Sequence, residues 1–157
     1  IDQIPAIFRV NYNPVLAKNI AEQKFSEIKI IIRSFIKRWI APAILVGILA
    51  VSVYPLAVNI ISRNPELMAG WVIFAILVAG IVLKSGYSVF WELPVQAGFP
   101  GYQAILMIAV LLSNVIMNLL LIPVWGMNGA AIATAISFVL GILYFKIIVK
   151  ITTSVVI

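Results

Sequence analysis

Histidine and cysteine are both absent from this chain, and only five of its 157 residues are acidic. The usual ligands of zinc, haem and iron–sulfur centres are therefore missing. Nucleophilic catalysis by a Cys–His or Ser–His pair is excluded as well. The absence of cysteine carries no redox information. Charge is scarce altogether, at 10% of residues against 64% hydrophobic ones, and mean hydropathy is +1.16. A soluble domain of this size needs far more polar surface to cover its core. No metal, no cofactor, no nucleic-acid partner and no enzymatic activity is expected of such a composition.

What is present is length of apolar run. Trp39–Ile61, Ala69–Trp91, Ala104–Val124 and Gly129–Val149 each approach or exceed the roughly 20 residues an α-helix needs to cross a bilayer. The expected fold is all-α and integral to the membrane: four transmembrane helices (39–61, 69–91, 104–124, 129–149) behind a basic amphipathic helix at 14–38. Too few residues remain for a soluble catalytic domain. The first residue is Ile1, and no basic start with a small-residue cleavage site precedes the hydrophobic matter. The chain reads as a piece of a longer protein, with residues 1–13 the end of a preceding span or a linker.

From Pro14 to Arg38 the pattern is amphipathic. Leu16, Ile20, Phe25, Ile28, Ile32, Phe35 and Trp39 recur at helical spacing, while Lys29, Arg33 and Lys37 follow at i, i+4 and i+8 on another face. Pro14 suits a helix start. Six Lys/Arg against two Glu in this segment predict that it lies along an anionic cytoplasmic leaflet; the alternative is a linker helix packed on the bundle. Lys18, Lys24, Lys29, Arg33, Lys37, Arg38, Lys146 and Lys150 fall on one side of the four spans and only Arg63 on the other. That bias puts the amphipathic segment and the C-terminal end in the cytoplasm, and the protein in the cytoplasmic membrane with lipid as neighbour. Breaker-rich connections at Ser62–Glu66, Ala97–Gly101 and Pro123–Gly129 make consecutive helices antiparallel neighbours.

Several residues stand out inside these spans. Gly129, Ala133, Ser137 and Gly141 repeat every four residues, a small-residue stripe that lets helix backbones approach, with a homodimer interface as the sharper alternative. Asn114 and Asn118 share a face of the third span and need partners there, from another helix or along a polar pathway. Asn59, after Pro55 in the first span, reads the same way. Lys84 sits seven residues before Trp91, about 10 Å inside the cytoplasmic end of its helix. It either snorkels to the interface or faces a wet cavity where it meets a phosphate or carboxylate. Ser85, Tyr87 and Ser88 make that helix end polar.

The run from Gln96 to Thr134 resembles the polysaccharide-biosynthesis flippases of the multidrug/oligosaccharidyl-lipid/polysaccharide exporter superfamily. The resemblance rests on Ala97-Gly98-Phe99-Pro100 before a span, Asn114 and Asn118-Leu119-Leu120-Leu121-Ile122-Pro123 within it, and the turn Val124-Trp125-Gly126-Met127-Asn128-Gly129-Ala130-Ala131-Ile132-Ala133-Thr134. Gly101-Tyr102-Gln103 lacks the basic residue usual in that loop. The resemblance implies a C-terminal portion of a larger helical transporter that flips a polyprenyl-linked oligosaccharide across the cytoplasmic membrane by alternating access. Its partners would be membrane lipids, that substrate and the remaining helices of the same transporter. Lys84, Asn59, Asn114 and Asn118 are the candidate substrate contacts. A multidrug or cation antiporter of the same superfamily is the alternative, as is a membrane assembly subunit without transport of its own.

Overall fold

A computed structural model of the chain describes the backbone of residues 3–61 and 65–153, with the side chains of 8–61 and 67–153. The segments are helical: α1 (Gln3–Ala21), α2 (Phe25–Ile61), α3 (Gly70–Ser88), α4 (Leu93–Gln96) and α5 (Pro100–Thr153), with a 3-10 turn at Pro65–Ala69 before α3. Helices suit lipid, because a helix satisfies its backbone polar groups internally. Three helical stretches, Phe25–Ile61, Leu67–Gln96 and Pro100–Thr153, are long and apolar enough to cross a membrane. Along them Leu45, Leu56, Leu111 and Leu119 are exposed, as suits a multi-pass membrane protein. The expected turn at Ser62–Glu66, with Arg63, lies outside the described residues except for the backbone at its end.

The segment 14–38 is not one helix. Its first part belongs to α1, which passes through Pro14 instead of starting there, and its second part is continuous with the apolar stretch of α2. The break is at Gln23, whose φ of 55° is left-handed. Lys24 N–H donates to Asn19 O at 2.8 Å and Gln23 N–H to Ile20 O at 3.0 Å, the paired bonds that close a helix with a residue in αL. Glycine is the usual residue there, so a glutamine carries no signal of it. The Lys24 ammonium, 2.7 Å from Glu22, holds that carboxyl below its usual range through a hydrogen bond and its charge.

The reason α1 folds back is packing. Phe8 meets Phe35 and Trp39 edge-on with centroids 5.6 and 5.4 Å apart, and Tyr12 meets Phe35 at 5.3 Å. Leu16, Ile28 and Ile32 are fully buried, in one core with Phe90, Leu93, Leu106, Phe145 and Val149. Burial of such side chains contributes about 1.5–3 kcal/mol each, enough to offset a helix-interior proline at roughly 3 kcal/mol. The apolar face at 25–38 is thus covered by protein, as in the packed-linker alternative, and is not free to enter lipid. At ~1.5 Å per residue α2 is about 55 Å long, well beyond a hydrocarbon core of ~30 Å.

Arg9 fastens α1 to the end of α3. Its Nη1 donates to Glu92 Oε1 at 2.7 Å and its Nη2 to Ser88 O at 3.1 Å. Both side chains are partly exposed, so the pair contributes about 1 kcal/mol at most. Arg9→Ala is expected to speed amide exchange throughout α1 while leaving α3 and α5 protected; equal exchange in wild type and variant would show that the aromatic contacts hold α1 alone.

α5 reverses on itself. Gly126 has φ 54° and ψ −132° inside it, a backbone state open to glycine. Ser113 Oγ and Tyr144 OH share a 2.8 Å hydrogen bond, whereas a straight helix would separate residues 31 apart by about 46 Å. The two arms are therefore antiparallel. A Cβ added to Gly129 would collide with the Leu121 carbonyl, and one at Gly141 would lie 3.2 Å from Val110 and 3.3 Å from Trp91. Gly129, Ala133, Ser137 and Gly141 are all buried, so the stripe faces helices of its own chain.

Candidate functional site

α3 packs between α2 and the second arm of α5. Toward α2 it presents Val78, Val82 and Ser85: Gly47 lies against the two valines, and Trp39 Nε1 donates to Ser85 Oγ at 3.0 Å. Toward α5 it presents Gly80, Lys84 and Tyr87, residues spaced by four and three so that they share one face, and Trp91 follows in the turn after the helix. Gly80 makes this approach close: a Cβ there would be 3.0 Å from the Ala135 Cα. Further along, Trp91 stacks on Phe145 with centroids 5.5 Å apart.

Lys84 lies between these two contacts. It lines a cleft of about 450 Å³ with Trp91 of the α3 end, Met107, Val110, Leu111 and Asn114 of the first arm of α5, and Thr134, Ser137 and Phe138 of the second. The ammonium lies 4.6 Å from the centre of the Phe138 ring and 5.7 Å from that of Trp91. Among the described residues no carboxylate lines the cleft. Thr134 and Ser137 donate their hydroxyl protons to Ala130 O and Ala133 O, at 3.0 and 2.7 Å, leaving oxygen lone pairs as their remaining polar function. Lys84 is therefore half-buried, seated on aromatic faces at the cleft.

The other sequence candidates divide. Asn114 joins Lys84 in the cleft. Asn118 does not: its Nδ2 donates to Asn114 O and Asn114 Oδ1, both at 2.9 Å, and it borders a separate hollow beside Pro123. Asn118 thus donates along its own helix instead of bridging to another. Asn59 is exposed on α2 and lines neither space. Ser85 and Ser88 are also outside the cleft, and Tyr87 lies beneath Lys146, whose Nζ is 5.4 Å from the ring centre. Trp91 and Phe138 were not foreseen as contacts of Lys84. The spacing from Lys84 to Trp91 carried a signal for the first; Phe138 came from another helix and had none.

The chemistry open to this site is electrostatic. Among the described residues no group of three His, Cys, Asp or Glu could hold a metal. A cation on aromatic rings gains roughly 0.5–2 kcal/mol. A singly charged anion at ~4 Å gains about 4 kcal/mol at an effective dielectric constant near 20. A phosphate or carboxylate entering the cleft would compete with the rings for Lys84, with the amide of Asn114 as a neighbouring hydrogen-bonding group. Comparison with protein-family models, curated proteins and solved structures gives no match to this chain.

Proposed function

We propose that this chain is the C-terminal portion of a membrane transporter that flips lipid-linked oligosaccharide or polysaccharide repeat units across the cytoplasmic membrane by alternating access. The observation that carries the reading is Lys84, a half-buried cation on an open cleft between helices, with no carboxylate among the described residues that line it. Ionisable groups within membrane spans are costly and mark pathways for polar cargo. The reading counts four spans, 39–61, 69–91, 104–124 and 129–149, and takes the reversal at Gly126 as the outer turn between the last two. A cleft of about 450 Å³ has room for a phosphate and little more of a large headgroup. The remaining helices of the transporter would complete the cavity while the polyprenyl tail stays in lipid.

Reconstituting the full-length protein in vesicles with a fluorescent polyprenyl-linked oligosaccharide tests the function. Time-dependent loss of the label to an impermeant quencher on the far side is expected; a rate equal to that of protein-free vesicles overturns the proposal. Orientation has its own test. Gln103 is buried, so single cysteines at Gln23 and Gly101 are the inner probes and one at Met127, which is 76% exposed, is the outer probe. An impermeant thiol reagent on intact cells is expected to label only Met127→Cys. Labelling confined to Gln23→Cys and Gly101→Cys would invert the topology.

A further inference from the structure

On the side of α3 away from Lys84, α2 and α3 enclose an open apolar groove of about 420 Å³, lined by Ile44, Gly47, Val51, Ala75, Ala79 and Leu83 among others. It shares no lining residue with the Lys84 cleft. The spacing along α2 connects this groove to charge. Lys37, Ile44 and Val51 are seven apart, and Arg33 and Ile44 eleven apart, so all project within about 20° of neighbouring members at 3.6 residues per turn. Arg33 and Lys37 are exposed, and among the described residues neither is in an ion pair. Lys37 stands only about 10 Å along the axis from Ile44, a distance comparable with that between a phospholipid phosphate and the upper part of its acyl chain.

We infer that this face is a binding site for an anionic bilayer phospholipid, with one acyl chain in the α2–α3 groove and the phosphate between Arg33 and Lys37. The groove is apolar and open to the side, which suits a chain entering from the bilayer. The two unpaired cations below it are complementary to a phosphate carrying net negative charge, and basic groups near a membrane surface contribute on the order of 1 kcal/mol each. Covering the apolar face of 25–38 with α1 leaves the basic face outward, so α2 offers headgroup and chain contacts on one continuous surface. The inference is independent of the flippase reading.

Native mass spectrometry of the full-length protein, released from detergent with phosphatidylglycerol or phosphatidylcholine, tests it. Phosphatidylglycerol is expected to remain bound and phosphatidylcholine to be lost. The double variant Arg33→Gln, Lys37→Gln should weaken phosphatidylglycerol retention roughly tenfold or more. Both positions are exposed, so circular dichroism should stay at the wild-type level. Ala79→Phe, which fills the groove from an exposed position, should reduce retention with the cations intact. Equal retention of the two lipids, or unchanged retention in the variants, overturns the site. Displacement of phosphatidylglycerol by equimolar polyprenyl phosphate, lost in the same variants, also overturns it by making the occupant the cargo lipid.

Discussion

Lys84→Ala in the full-length protein is expected to cut export of the lipid-linked glycan by about 30- to 400-fold while protein level holds. The estimate follows from the difference between about 4 kcal/mol for an anion beside the ammonium and the roughly 0.5–2 kcal/mol given up when it leaves Phe138 and Trp91. Lys84→Arg should keep part of the activity, since charge survives while the compact ammonium becomes a planar fork. Lys84→Met keeps the apolar stem and should behave like the alanine variant. Complementation of a flippase-deficient strain, scored by surface glycan with expression checked by blot, reads the result. Normal export by the alanine variant would leave Lys84 as an anchor on its aromatic rings.

The second large effect is expected at Gly80. An added Cβ there meets Ala135 backbone at 3.0 Å, and Phe138 at 3.2 Å, on the side where α3 and the second arm of α5 touch. Backbone cannot swing aside as a flexible side chain does, so Gly80→Leu must separate the two helices. Overpacking of this kind costs about 1–3 kcal/mol or more, and the same separation carries Phe138 away from Lys84. The variant should lose thermal stability in detergent and export together. Gly101→Ala is the control: an added Cβ there meets nothing within 4 Å, so its melting should stay at the wild-type level. Unchanged melting of Gly80→Leu would show that the α3–α5 contact is looser than its geometry.

Boundaries were legible where the local signal was strong and illegible where it was not. Ala97-Gly98-Phe99-Pro100 read as a break, and Gly98 adopts φ 86° with Phe99 N–H donating to Pro94 O at 2.9 Å and Gly98 N–H to Val95 O at 3.0 Å. The same hydrogen-bond pattern ends α1 at Gln23, but a glutamine there resembles any exposed helical residue. Pro14 was misleading for the opposite reason: it looked like a helix start, and tertiary burial of Leu16 and Tyr12 carried the helix through it. Lys84 was identifiable because a charge inside an apolar run is rare. Its partners were not, since the contact with Phe138 spans 54 residues of sequence.

By itself the sequence determined that the chain is helical, apolar along stretches of membrane length, poor in catalytic groups and polarised in charge toward one end. Those properties follow from composition and from periodicities of three to four residues, which act locally along one helix. The tertiary structure decided what each helix face meets. It covered the amphipathic face of α2 with α1, joined Asn118 to Asn114 within one helix, left Asn59 apart, and set Lys84 on two rings from different segments. These outcomes depend on which surfaces are buried against each other. That is a matter of contact between residues far apart in the chain, and no local pattern records it.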